Sequence, residues 1–330
     1  MRPIQVGLTL PQGWLDDFHS NNAYDQFLFS KNTALIAEKL GYDAGYIYDH
    51  FTPHPSNNHK DAVFFEAYTL LSAISSVTTK LRIGQIVTCN SYRSPSLLAK
   101  MTSTLDAISN GRLEFGIGAG WFEREYNSYG YKFDTPSARI EQLDESLIII
   151  KKMWQNEKSS FKGKHYSIKN AICNPKPIQK PHPPIIVGGA GKNLMKIVAK
   201  HATRYNHPFG TPSILEEKIK LLHKNCLSIK RNHEEIENSV LLRVLIGKDR
   251  DDVKDIISRL KKKNESVGEF ILQSKDSLAV GTHDEITNYL HQYVKIGINY
   301  FIINFIGLSK SLEMLSLFSN KVRSKLKPFS

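Results

Sequence analysis

Short β-rich runs alternate with amphipathic helical patterns from one end of this chain to the other, which limits its fold more than any other feature. The β-rich runs are "IQVGLTL", "AGYIYDH", "LRIGQIVTCN", "RLEFGIG", "PPIIVGG", "TRYNHPF", "VLLRVLIG" and "NYFIINF". Between them the spacing predicts a helix from about Asp25 to Leu40 that stops at Gly41, then "FEAYTLLSAISSV". "SPSLLAKMTSTLDAIS" follows, with Ser94 as cap and Pro95 in first position. "RIEQLDESLIIIKKMW", "GKNLMKIVAKHA", a helix near Ile214 to Leu227, "DEITNYLHQYVKIG" and a last helix from about Ser309 to Leu326 complete the series. Eight parallel-type strands with crossover helices over 330 residues predict an α/β TIM (β/α)8 barrel, with a doubly wound sheet as runner-up.

The rhythm breaks twice. "NEKSSFKGKHYSIKNAICNPKPIQKPHPP" is polar, proline-rich and too long for an ordinary connection, so it reads as an insertion at about 155–183. Within it "HYSIKNAI" is expected to form a small hairpin. A second insertion, at about 250–280, holds a charged helix and an irregular stretch near "GEFILQSK". The alternation resumes after each, and no low-complexity linker intervenes. The expectation is one domain spanning 1–330, a barrel with insertions.

Bulk properties then exclude several classes. Hydrophobic residues at 41% and charged residues at 23% exclude disorder as the main state. The apolar runs fall short of a membrane span, and "MRPIQVGLTLPQGW" lacks the apolar core of a signal peptide. A cytoplasmic protein is expected, with no membrane partner. Cys89, Cys173 and Cys226 are scattered, and the histidines, His54 and His59 in a loop among them, show no ligand spacing; no metal site is expected. The net charge of +12 reads first as lysine-rich solvated helix surface. Its second reading is attraction for an anion. With no nucleic-acid motif in the chain, a phosphorylated small molecule suits that charge better than nucleic acid.

In a barrel the chemistry sits where strands end. Asp49–His50, Ile86 to Asn90, Gly118 to Trp121 and Gly188 to Gly191 occupy four such ends. "GGAGKN" presents backbone N–H groups, a helix start and Lys192 to an anion, although glycine alone equally suits a tight turn. Asp49 and His50 could be an acid and base or a ring-orienting pair; a capping aspartate with a surface histidine is the plainer alternative. "GRLEFGIGAGWFEREY" resembles a dinucleotide fingerprint only at Gly116 and Gly118. Trp121 holds the third glycine's position and a loop-like "FEREYNSYGYKF" follows, so that reading fails.

Together, "AEKLGYDAGYIYDH", "LRIGQIVTCNSYRSPSLLAKMTSTLDAISNGRLEFGIGAGWFEREYNSYGYKF", "PKPIQKPHPPIIVGGAGKN" and "VGTHDEITNYLHQYVKIGINYFIINF" resemble the luciferase-like monooxygenase family. These are TIM-barrel oxidoreductases using flavin or deazaflavin, and the chain is most similar to members that use coenzyme F420. The resemblance implies a small-molecule substrate, hydride transfer with coenzyme F420 and, by family habit, a homodimer; the alternatives are an FMN-dependent monooxygenase of the same family and a non-catalytic flavin- or deazaflavin-binding protein. It implies that Asp49 bonds the ring system, with His50 beside it as the proton-handling candidate. It puts a non-proline cis peptide at Ile86–Val87, Thr88 and Asn90 in the pocket, and Ala119, Gly120 and Trp121 near the ring. The phosphate would rest on Gly188, Gly189, Ala190 and Gly191. Trp121 replaces the acid glutamate of the sugar-phosphate dehydrogenase branch, and where the nearest group often reads Ala-Asp-Gly-Trp this chain has "ATRYN", so that Thr203, Arg204 and Tyr205 depart from it.

Overall fold

A computed structural model describes residues 2–15, 17–18, 20, 22–54, 62–261, 265–274, 278–309 and 311–327. The strands are β1 (Gln5–Thr9), β2 (Ala44–Ile47), β3 (Arg82–Gln85), β4 (Thr88–Cys89), β5 (Leu113–Gly118), β6 (Ser159–Lys162) and β7 (Ser167–Ala171). They continue with β8 (Ile185–Gly188), β9 (Arg204–Pro208), β10 (Glu237–Gly247), β11 (Leu278–Thr282) and β12 (Tyr300–Phe305). The helices are α1 (Ala23–Lys39), α2 (Ala67–Val77), α3 (Pro95–Ile108), α4 (Glu123–Ser128), α5 (Pro136–Gln155) and α6 (Leu194–His201). After them come α7 (Pro212–Ser228), α8 (Arg250–Leu260), α9 (Val267–Ser274), α10 (His283–Lys295) and α11 (Glu313–Leu317).

Parallel pairing runs β1–β2–β3–β5–β8–β9–β10–β12 and returns to β1, closing an eight-stranded TIM barrel. These are the eight strands expected from the sequence. Side chains alternate across the barrel wall. On β5, Leu113, Phe115 and Ile117 join the outer core under the helices, where Phe115 meets the Trp154 ring at 5.3 Å. Glu114 instead faces inward, to Tyr46 and Arg204. Helix ends follow their local chemistry: Ser94 caps α3 ahead of Pro95, and Thr282 with Glu285 forms a capping box on α10.

A polar plug fills the barrel near the strand starts. Arg204 Nη1 lies 2.6 Å from Glu114 Oε2, Arg82 Nε donates to Glu114 Oε1 at 2.7 Å, and Arg204 also pairs with Glu237. Its guanidinium lies 3.6 Å over the Tyr300 ring. Burial pushes the Glu114 carboxyl up, but the two arginines and the Tyr46 hydroxyl more than offset it and hold it at about 2. The departure at Arg204 therefore rebuilds the barrel interior instead of opening a pocket wall.

Two expectations shift. The hairpin pairs β6 with β7 antiparallel, so "HYSIKNAI" supplies only its second strand; "SSFK" supplies the first. The last helix begins at Glu313 and continues as a π turn over Phe318–Val322 and a 3-10 turn over Arg323–Lys325. The second insertion holds α8, α9 and β11, and β11 pairs with the far half of β10. His59 lies outside the described residues. No helix among the described residues is long and apolar enough to cross a membrane.

Candidate active site

The strand ends on one face of the barrel converge on a cavity of about 600 Å³. Its shape starts from β3. The Ile86–Val87 peptide is cis, as expected, and the strand resumes beyond it as β4 to pair with β5. Val87 turns over a floor of glycines. A Cβ on Gly116 would sit 2.0 Å from the Gln85 carbonyl oxygen; one on Gly118 would sit 2.8 Å from Val87 Cγ2, and one on Gly188 2.8 Å from Val87 Cγ1. Gly120 has φ +79° and its Cβ would fall 1.8 Å from the Tyr126 hydroxyl oxygen. The alternating glycines of "EFGIGAG" are required first by the protein's own backbone and Val87.

Asp49 ends the β2 run, and its carboxylate is held by three donors. Oδ2 accepts from the Cys89 amide and Arg93 Nη1, both at 2.8 Å, and Oδ1 accepts from Arg93 Nη2 at 3.0 Å. The arginine also reaches Glu66 at 2.7 Å. Burial alone would loosen the Arg93 proton, but these carboxylates hold it more firmly than usual. Asp49 thus clamps the β4 segment to β2. It borders the cavity with Oδ2 taken twice and Oδ1 once, which leaves about one acceptor site, on Oδ1, for a ligand.

His50 stands beside it with its ring stacked on Trp14 at 4.0 Å and edge-on to Trp121 at 5.8 Å. Its Nδ1 lies 2.8 Å from Glu125 Oε2. The same carboxylate accepts from the Tyr92 hydroxyl at 2.7 Å and from the Phe51 and Thr52 amides at 2.5 and 3.1 Å. Burial raises the Glu125 carboxyl, but the hydrogen bonds from His50, Phe51 and Tyr92 win and leave it below the ordinary carboxylate range. Glu125 is ionised at neutral pH and can only accept, so His50 Nδ1 is the donor, and in the neutral imidazole Nε2 is the bare nitrogen that can act as a base. Nε2 has no protein partner among the described residues. The sequence did not single out Glu125. It sits on α4, a six-residue helix within the stretch read as loop.

The opposite wall is the turn from β8 to α6. Gly189 has φ +140°, and a Cβ on Gly191 would meet nothing within 4 Å, so the backbone here lies open toward the cavity beside Lys192. The Tyr205 hydroxyl donates to the Gly189 carbonyl at 2.7 Å, and Lys218 donates to the Ala190 carbonyl at 2.9 Å. Tyr205, one of the departures from the family run, therefore braces the glycine turn from behind.

Thirteen residues were expected here, and the cavity wall brings together Asp49, His50, Ile86, Val87, Thr88, Ala119, Gly120, Trp121 and Gly188 to Gly191. Asn90 stands apart from that wall: it is buried in a 3-10 turn, and its Nδ2 donates to the Tyr166 hydroxyl at 3.5 Å. Thr88 also turns its hydroxyl away, to Tyr68 at 3.0 Å. Trp121 is 61% exposed and forms the cavity rim with Phe122, which stacks on it at 5.1 Å. Cys89 borders the cavity as well, but burial pushes its thiol up to about 12, so it is no thiolate nucleophile at neutral pH.

Comparison with known proteins agrees with this architecture. The FMNH2-dependent dimethylsulfone monooxygenase of Pseudomonas putida is 23% identical over 314 residues, covering 86% of this chain and 85% of that protein. An F420-dependent glucose-6-phosphate dehydrogenase of Amycolatopsis mediterranei is 23% identical over 321 residues, covering 89% and 93%. Among solved structures, an F420-dependent secondary alcohol dehydrogenase superposes with a TM-score of 0.78 at 19% identity, covering 99% of this chain and 100% of that one. The family model described as luciferase-like monooxygenase matches residues 19–300. The chain belongs to the luciferase-like monooxygenase family, whose members among these relatives are oxidoreductases and monooxygenases using flavin or F420.

Proposed function

We propose that this protein is a coenzyme F420-dependent oxidoreductase that exchanges a hydride with a small organic substrate. The observation that carries the reading is the His50–Glu125 pair at the cavity wall, with Nδ1 committed and Nε2 free. Hydride transfer to or from an alcohol or carbonyl carbon needs a matching proton transfer at the oxygen. A histidine held in one tautomer, and stacked on Trp14, supplies it in a fixed place.

The residues present fit a ring-and-phosphate cofactor. The open glycine turn from Gly188 to Gly191, with Lys192 and the start of α6, suits a phosphate. The backbone around Ile86 and Val87 offers a bulged wall against which a flat ring can lie. When bound, the deazaflavin would supply the two-electron chemistry. The chain's own part is to hold the substrate against the His50 side, to accept or return the proton at Nε2, and to keep Glu125 ionised so that the tautomer does not change. Trp14, Trp121 and Phe122 supply apolar surface that keeps bulk water from the histidine.

The relatives divide between F420 and FMN, so FMN-dependent monooxygenation is the second reading. Fluorescence titration of the purified protein with oxidised F420 and with FMN separates them. Saturable F420 binding, with FMN at least tenfold weaker, is the expected result. Preference for FMN, or binding of neither, overturns it.

A further inference from the structure

Arginines that are not fully exposed are paired throughout this molecule, with one exception. Among the described residues Arg82, Arg93 and Arg204 meet carboxylates. Arg112 donates to the carbonyls of Ser75, Thr78 and Leu81, Arg139 to that of Asp134, Arg231 to those of Ala199 and Ala202, and Arg323 to Asp43. Arg243 is partly buried, its Nε is closed off from solvent, and no protein group among the described residues accepts a hydrogen bond from it.

Its position is specific. On β10 the side chains alternate, and Arg243 is two residues beyond Leu241, which lines the cavity, so it stands on the inner face one layer nearer the strand end, outside the cavity wall itself and next to it. It pairs in register with Asn304 of β12, whose Nδ2 donates to the Thr9 hydroxyl at 2.7 Å. Tyr48 and His54, both cavity-lining, lie within electrostatic reach of the guanidinium. The layer around it is thus Thr9, Tyr48, Asn304 and Arg243, all neutral but one. A partly buried cation with no carboxylate beside it keeps its exposed Nη groups free to take an anion that a ligand supplies.

We propose that Arg243 is the receptor for an anionic group on the substrate, a carboxylate or a comparable oxyanion, and so restricts this site to small anionic substrates. The proposal rests on the reading of the site above, because it takes the cofactor phosphate to be held at the Gly188–Gly191 turn. That turn leads out of β8, whereas Arg243 stands on β10 toward the β12, β1 and β2 side of the mouth. A guanidinium binds a carboxylate through two parallel hydrogen bonds, and the cavity's Trp14, His50 and Trp121 rings offer a flat apolar surface for the rest of such a molecule.

Cinnamate and its neutral counterpart cinnamamide provide the test, their affinities measured by calorimetry on wild type, Arg243→Gln and Arg243→Lys. Each is titrated into protein with and without the cofactor that binds. Wild type is expected to prefer the carboxylate by about ten- to hundredfold. R243Q should erase that preference while leaving cinnamamide and cofactor affinities within about twofold, and R243K should restore part of it. Wild type without a preference, or R243Q that keeps it, overturns the proposal. A tenfold or greater loss of cofactor affinity in R243Q would assign the anion to the cofactor, which also overturns it. Because the titrations are run without cofactor too, failure of wild type to bind either F420 or FMN defeats the functional reading alone. Thermal melts confirm that the variants are folded.

Discussion

Glu125→Gln tests the His50 pair directly. Four donors converge on the carboxylate: His50 Nδ1, the Tyr92 hydroxyl and the Phe51 and Thr52 amides. Glutamine can keep its carbonyl toward the two amides, but its NH2 then faces His50 and Tyr92, both donors in the wild type. His50 can meet an NH2 group only by presenting a bare Nδ1, which moves its proton to Nε2 and removes the base. Two bonds to a charged acceptor are lost, each worth about 1.5–3 kcal/mol, with partial recovery by the tautomer change. A net loss of about 3 kcal/mol is expected. With about 2 cal/mol/K of unfolding entropy per residue over 330 residues, Tm falls by roughly 4 °C. On a substrate that turns over, kcat/KM should fall about a hundredfold, within the range of general acid–base contributions.

The assay that isolates the argument is nitrogen NMR on protein labelled at histidine. In wild type at pH 8 His50 should show a protonated Nδ1 and a bare Nε2; in E125Q the two should exchange. Acid behaviour gives a second readout. Glu125 is held below the ordinary carboxylate range, so its contribution is present above about pH 4.5 and is lost as pH falls through its folded value. The stability gap between wild type and variant should therefore narrow below pH 4.5. An unchanged His50 tautomer in E125Q, or a rate loss just as large in a His50→Gln background, refutes the claim that Glu125 works through His50.

Three further outcomes follow from the geometry. Glu114, held at about 2 against an ordinary 4.5, contributes about 3 kcal/mol that should be lost between pH 4.5 and 2; Glu114→Gln should flatten that limb and cost about 3–5 kcal/mol at neutral pH in urea melts, and a steep remaining limb contradicts it. Tyr205→Phe removes the brace on Gly189 and should weaken cofactor binding about fivefold, as expected for one neutral hydrogen bond, while an unchanged Kd would free the turn from Tyr205. Gly116→Ala places a methyl 2.0 Å from the Gln85 carbonyl oxygen and should destabilise by about 3 kcal/mol; an unaltered Tm would mean that β3 yields there freely.

What the sequence reveals depends on how local the cause is. Seven of the eight barrel strands are legible because each is a largely apolar run between turn signals, whereas β9, "RYNHP", is legible only from the alternation around it; closure into a ring follows from their number and their crossovers. The first strand of the inserted hairpin, "SSFK", was not, since four residues with mixed exposure carry no period. The cavity wall was legible for the same topological reason, as strand ends meet on one face. The roles of its members were not. Glu123 and Glu125 look alike in "FEREY", yet the turn of α4 exposes the first and buries the second against His50, 75 residues away.

Asp49 shows the converse: the carboxylate expected to bond the ring does border the cavity, but two of its bonds go to Arg93, 44 residues on. Arg204 carries the lesson furthest. Read alone, it is a charge at the start of a strand with no carboxylate near it in sequence. Its partner Glu114 lies 90 residues earlier, in a strand remarkable only for its glycines. The pair is readable only once the barrel brings β5 and β9 to face each other across the interior, with β8 between them in the wall. Arg243 belongs to the same class of residue, an inward arginine near a barrel end, and differs in meeting no carboxylate among the described residues. The contrast between the two arginines, one met by Glu114 and Glu237 and the other by no carboxylate among the described residues, is the ground for proposing a ligand's anion as the partner of the second.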